Sequence, residues 1–154
     1  MTHLKVGDKI PEFSCPDQNG IIIHLKQFAG KKILLYFYPK DNTPGCTAEA
    51  CNLRDNFTLL KKRGIEVIGV STDSTKSHKS FETKFSLPFT LLADENKELV
   101  KAFGVWGEKK MYGKTFEGTL RTSFLIDEKG RVLKIFDKVD TRNHAEQVLK
   151  EINQ

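Results

Sequence analysis

Six consecutive apolar residues, Ile33-Leu34-Leu35-Tyr36-Phe37-Tyr38, constrain the fold more than any other part of this chain. A half-buried strand would alternate apolar and polar residues, so an unbroken run of this length reads as a strand covered on both faces. Pro39 ends it. After Lys40-Asp41-Asn42, Thr43 is a good N-cap, and Pro44 suits the first helical position, where a missing N–H costs nothing. Cys46, Ala50, Leu53, Phe57 and Leu60 then recur at spacings of 4, 3, 4 and 3, which predicts one helix with a core-facing stripe, stopped at Gly64.

Ile65 to Val70 reads as a second buried strand, followed by a helix over about 75–85 that carries Phe81 and Phe85 ahead of Pro88. A strand over 89–92 and a helix over 96–103 come next. Thr122 to Ile126 and Val132 to Phe136 flank Asp-Glu-Lys-Gly as an antiparallel hairpin, and a last helix spans about 143–152. Upstream, Asp17-Gln18-Asn19-Gly20 is a turn signal, which predicts an N-terminal hairpin. A βαβ half followed by a ββα half is the layout of an α/β, thioredoxin-like fold: a central mixed sheet flanked by helices, with an N-terminal β-hairpin extension. Residues 104–121 hold four glycines and little periodicity, and read as a long loop of the kind that borders active sites.

At 154 residues the chain is one domain long, 1–154, with neither repeat nor interdomain linker. No run approaches the roughly 18 apolar residues of a membrane span, and the N-terminus has no signal-peptide pattern, so a cytoplasmic protein without membrane association is expected. The net charge of +5 and pI near 9.1 come from lysines spread among 20 acidic residues. That is a solvated basic surface rather than a nucleic-acid footprint, and no nucleic-acid partner is expected.

Three cysteines in a reducing compartment point to transient chemistry rather than permanent disulfides. Cys46 falls in the first turn of the predicted helix, where unpaired N–H groups and the helix dipole favour an anion; thiolate is the nucleophilic form of cysteine. Cys46 could instead be a small buried hydrophobe, but the Thr-Pro cap ahead of it favours chemistry. Cys51 lies five residues on. In a regular helix the two Cα atoms stand roughly 8.6 Å apart, beyond the ~7 Å at which a disulfide closes without backbone movement. A metal centre is not expected, because the C-x4-C spacing has no second pair and His3, His24, His78 and His144 show no ligand-like spacing. A thioredoxin-type exchange site would use C-x-x-C, so a different first partner is expected for Cys46; a peroxide, attacked by thiolate to give sulfenic acid, fits.

Pro39-x-x-x-Thr43-x-x-Cys46, with Arg121 in Leu120-Arg121-Thr122-Ser123-Phe124, resembles the active-site pattern of the peroxiredoxins. With Cys51 at plus five the chain is similar to the peroxiredoxin Q, or bacterioferritin comigratory protein, group. The resemblance extends to Tyr36-Phe37-Tyr38-Pro39-Lys40-Asp41, Leu92-Ala93-Asp94, Gly104-Val105-Trp106-Gly107 and Phe124-Leu125-Ile126-Asp127.

It implies a thiol-dependent peroxidase acting on hydrogen peroxide and alkyl hydroperoxides. Cys46 would be the peroxidatic nucleophile and Cys51 the resolving thiol in an intramolecular disulfide recycled by thioredoxin or a similar thiol reductant. Thr43 would orient the peroxide, Pro39 shield the sulfur, and Arg121 hold the charge on thiolate and oxygen. Glu49 could polarise the arginine or be a solvated carboxylate. No cofactor is required. With both thiols in one chain, a monomer suffices. Cys15 matches no catalytic position and is expected to pack beside the N-terminal hairpin. The alternatives are a general thiol-disulfide oxidoreductase and, more distantly, a nucleic-acid-binding module.

Overall fold

The computed structural model describes residues 1–152; the expected domain runs to 154, so its last two residues lie outside the described ones. A small antiparallel hairpin, β1 (Ser14–Pro16) and β2 (Ile22–His24), precedes the apolar strand β3 (Lys32–Phe37). The chain continues through α1 (Pro44–Asp55), α2 (Phe57–Lys62), β4 (Ile65–Ser71), α3 (Thr75–Phe85), β5 (Thr90–Ala93) and α4 (Glu98–Ala102). It ends with β6 (Trp106–Met111), β7 (Lys114–Thr119), β8 (Thr122–Ile126), β9 (Val132–Phe136) and α5 (His144–Ile152).

The central sheet has the order β5-β4-β3-β8-β9. Strand β3 pairs in parallel with β4 and antiparallel with β8, which makes the sheet mixed and puts β3 in its middle. Its side chains alternate between two cores. Ile33, Leu35 and Phe37 pack with Cys15, Ile23, Val100 and Phe103 on one face, while Leu34, Tyr36 and Tyr38 pack with Cys46, Ala50, Leu53, Phe81 and Val148 on the other. Burying each such side chain stabilises by roughly 1.5–3 kcal/mol, and an unbroken apolar run is what two cores demand of one strand.

Three elements differ from the sequence reading. The single helix expected from Thr43 to Gly64 is interrupted at Asn56 (φ −108°, ψ 10°), whose Nδ2 donates to the Asn52 carbonyl at 2.9 Å. That side-chain bond competes with helical backbone geometry. The helix expected over 96–103 is shorter, because Lys97 is in the left-handed region at φ 61° and Asp94 caps Leu99 and Val100 with its carboxylate. The expected loop over 104–121 is largely a two-stranded arm, β6 paired with β7, turned at Tyr112 and Gly113, both at positive φ. Most of β7 is exposed, so no core imposed an apolar alternation that would have marked the arm as strands.

Candidate active site

The site lies where β3 feeds α1 and β8 begins alongside. Pro44 opens α1 and Thr43 holds the N-cap position. The Thr43 hydroxyl does not cap the helix as expected; it donates to the Lys40 carbonyl at 2.9 Å. Its proton is therefore committed and its lone pairs are left to accept. The N–H groups of the first turn, Gly45 and Cys46 among them, have no acceptor within the helix, and the cap side chain takes none of them.

Cys46 is 1% exposed and belongs to the core stripe, so the two readings of it coincide: it is packed as a hydrophobe and placed as a nucleophile. Arg121, just before β8, donates from Nη2 to Cys46 Sγ at 3.3 Å and from Nη1 to Glu49 Oε1 at 2.6 Å. A Cβ on Gly45 would stand 3.3 Å from the same Nη2, so the glycine is what lets the guanidinium close over the helix start. Burial works against the charge of Arg121, but Glu49 and Cys46 more than offset it and hold the group above its ordinary value.

Glu49 is wholly buried rather than solvated. Burial pushes its carboxyl up to about 7 against the opposing pull of Arg121. Its second oxygen, Oε2, has no hydrogen-bond partner, and His144 Nε2 stands 3.8 Å away. No sequence signal singled out His144 beyond its place beside the apolar positions Ala145 and Val148 of α5.

Of the residues singled out, the fold joins Cys46 and Arg121 directly, with Glu49 as the third member. Thr43 is three residues ahead of Cys46 on the same segment. Pro39, half-buried two residues beyond β3, shares no bond with the others. Cys51 is partly exposed on the same uninterrupted helix, and both thiols are free. Cys15 is buried in β1, where burial first, then Asp94 and Glu98, push its thiol up to about 12. Such a group stays protonated and unreactive at neutral pH.

A second network, not foreseen from the sequence, anchors the loop ahead of α1. Tyr38 Oη donates to Asp41 Oδ1 at 2.6 Å, and Ser77 Oγ and His78 Nδ1 approach Asp41 Oδ2 at 2.8 and 2.7 Å. His78 Nε2 stands 2.8 Å from the Leu92 carbonyl, which can only accept. Burial opposes charge on this imidazole, yet Asp41 and Leu92 outweigh it and its pKa is raised. Asp41, Asp73 and His78 are close enough to hold a cation. Their facing atoms already bond to one another and to Ser77, Ser71 and the Asp41 N–H, which is the pattern of a structural latch.

The pattern of the AhpC/TSA family matches residues 6–135. The chain is 50% identical over 149 residues to peroxiredoxin Bcp of Escherichia coli K12, covering 97% of this chain and 96% of that protein. The chain belongs to the AhpC/TSA family of peroxiredoxins. It is a thiol-dependent peroxidase. This peroxiredoxin is also 33% identical to a solved cysteine-to-serine mutant of Xylella fastidiosa PrxQ, with a TM-score of 0.93 over 99% of this chain and 98% of that one. A structure of the bacterioferritin comigratory protein of Xanthomonas campestris, a protein described for its alkyl peroxide reduction activity, matches at 35% identity and a TM-score of 0.89 over 99% and 98% of the two chains. These similarities bear out the expected group and the thioredoxin-like fold. Among the described residues no helix of this peroxiredoxin is long and apolar enough to cross a membrane.

Proposed function

We propose that Cys46 is the peroxidatic nucleophile and Cys51 the resolving thiol of a thioredoxin-recycled reduction of hydrogen peroxide and alkyl hydroperoxides. The observation that carries this reading is the 3.3 Å bond from Arg121 Nη2 to Cys46 Sγ at a helix N-terminus, two positive features aimed at one sulfur. The thiolate attacks the nearer peroxide oxygen. An S–O bond forms, the O–O bond breaks, and the leaving oxygen takes a proton to become water or an alcohol. Arg121 and the first-turn N–H groups meet the charge that develops on oxygen, the Thr43 hydroxyl accepts a hydrogen bond from the peroxide, and Pro39 keeps water from the sulfur.

Cys51 then displaces water from the Cys46 sulfenic acid, giving a disulfide that a dithiol reductant reopens with two electrons. Because both thiols lie in one intact α1, the first turns must unwind for the bond to form. A resolving thiol in the same chain supports a monomer, and the single domain is proposed to work in the cytoplasm with neither membrane nor nucleic acid as partner. The C-x4-C spacing disfavours a general thiol-disulfide oxidoreductase.

Peroxide consumption by Cys46→Ser tests the assignment. Complete loss of turnover is expected, and full turnover would overturn it. An insulin-reduction assay without peroxide separates the alternative, which requires activity there.

A further inference from the structure

Beside the sulfur lies a chain of polar groups that the peroxidase reading leaves unused: the buried Glu49 on α1, His144 on α5 and Ser123 on β8, with the partly exposed Gln147 of α5 at its outer end. Its hydrogens can be assigned. Gln147 Oε1 accepts the Asp140 N–H at 3.1 Å, and its Nε2 donates to the Lys138 carbonyl at 3.2 Å. Oε1 is thus the atom 2.8 Å from His144 Nδ1, and an amide oxygen only accepts, so Nδ1 carries the ring proton. On a neutral ring Nε2 is then an acceptor, and Ser123 Oγ, 2.7 Å away, donates to it. Burial lowers the pKa of His144, in keeping with a neutral ring.

The consequence falls on Glu49. Its Oε2 is buried without a hydrogen-bond partner and faces, at 3.8 Å, a nitrogen that carries no proton and whose one lone pair already accepts from Ser123. An ionised carboxylate wants a donor there, and the α5 network is oriented to present none. The other groups around Glu49 are Cys46 on its own helix, the buried Tyr36 hydroxyl on β3, and Arg121, which bonds Oε1. Lys109 on β6 is held to the Thr119 carbonyl at 2.9 Å beyond Arg121. Arg121 is therefore the cation that Glu49 and Cys46 share.

We propose that His144 and Ser123 are positioning residues that keep Glu49 protonated, so that the charge of Arg121 is left to the Cys46 sulfur. Resting on the peroxidase reading, this deepens it by naming what sets the strength of Arg121. An ionised Glu49 would take much of the guanidinium's field, and one buried charge within two hydrogen bonds of the sulfur changes its reactivity by roughly tenfold or more. The tuning is remote in sequence: His144 and Ser123 come from the C-terminal half, and the tertiary fold brings His144 next to Glu49 with Ser123 bonded to the same ring nitrogen.

The decisive variant is His144→Gln, which puts an amide near the position of Nε2 and offers Oε2 a donor. It is expected to slow the stopped-flow oxidation of Cys46 by roughly tenfold at pH 6. Glu49→Gln, added in that background, is expected to recover most of the loss, because its amide cannot ionise. A double variant as slow as His144→Gln, or an undiminished His144→Gln, would overturn the proposal, since disturbed packing alone gives no recovery. Difference infrared spectroscopy of the reduced wild-type protein at pH 6 supplies a readout that needs neither the variant at 144 nor peroxide. A protonated-carboxyl band that disappears in Glu49→Gln supports the proposal, and no such band overturns it. Peroxide turnover surviving Cys46→Ser would count against the assignment of Cys46 as the nucleophile alone and leave the infrared result standing.

Discussion

Arg121 and Cys46, 75 positions apart in the chain, meet at 3.3 Å between Nη2 and Sγ. The contact depends on β8 pairing antiparallel with β3, because Thr122 lies opposite Phe37 at the end of the strand that leads into α1. The residue before β8 is thereby delivered to the first turn of the helix after β3. Removing the guanidinium by Arg121→Ala is expected to lower the rate constant of Cys46 oxidation by about 10²–10³-fold, the usual cost of losing one preorganised donor to a developing anion. Stopped-flow kinetics with hydrogen peroxide would show it, and an unchanged rate constant would remove Arg121 from the site.

Gly45 controls the same contact sterically. A Cβ there would meet Arg121 Nη2 at 3.3 Å, tighter than ordinary contact, so Gly45→Ala should push the guanidinium off the sulfur. The expected result is a loss of roughly tenfold in peroxide reactivity, since small misplacements of a catalytic group are costly, with little change in melting temperature. A rate equal to wild type would show that the arginine accommodates the methyl group.

Separating the two cysteine roles calls for single-turnover and steady-state kinetics together. Cys51→Ser should keep the first oxidation of Cys46 and lose turnover with thioredoxin; unchanged multi-turnover kinetics would point to another resolving thiol. Amide exchange across residues 43–52 should be faster in the disulfide form than in the reduced form, because an intact α1 cannot close the bond. Equal protection in the two forms would contradict local unwinding.

The buried carboxyl of Glu49 makes a prediction about stability. Its pKa is held at about 7 against an ordinary 4.5, chiefly by burial. Between those values the folded protein keeps a proton that the unfolded chain has lost, so the contribution of this group to stability falls as pH rises, by on the order of 3 kcal/mol in all. Glu49→Gln should abolish that slope. Urea unfolding of both proteins near pH 4.5 and near pH 7.5 measures the difference, in which the contribution of His78, paired with Asp41, cancels. Parallel stability curves would refute it.

Asn52 ties α1 to α5 next to Cys51. Its Oδ1 accepts the Ala145 N–H in the first turn of α5 at 2.7 Å, the part an N-cap side chain plays, and its Nδ2 donates to Glu146 at 3.2 Å. Asn52→Ala should cost about 1 kcal/mol, which for a chain of this length is about 2–4 °C in melting temperature. No shift by calorimetry would mean that water replaces the cap.

Local chemistry made much of this protein legible in one dimension. The unbroken run Ile33 to Tyr38 marked the central strand, since a strand between two cores has no polar face to reveal. Thr43, Pro44 and the stripe of Cys46, Ala50 and Leu53 marked the helix that carries the nucleophile. The arm over 106–119 was not legible, because strands exposed on most of their surface carry no burial pattern. The break at Asn56 was hidden for a related reason: a side-chain bond to the Asn52 carbonyl leaves the apolar stripe intact on both sides of it.

The sequence by itself determined a reactive-looking cysteine at a capped helix start, a second thiol too far along the helix to bond, and a family pattern containing Arg121. Only the tertiary structure decided the charge around the sulfur. Glu49 looked equally able to be solvated or to serve the arginine, and its state depends on atoms from β8 and α5 that sequence spacing does not bring near it. Helical periodicity fixes which way a side chain points within its own element; what it meets there, donor or lone pair, is set by how distant elements pack.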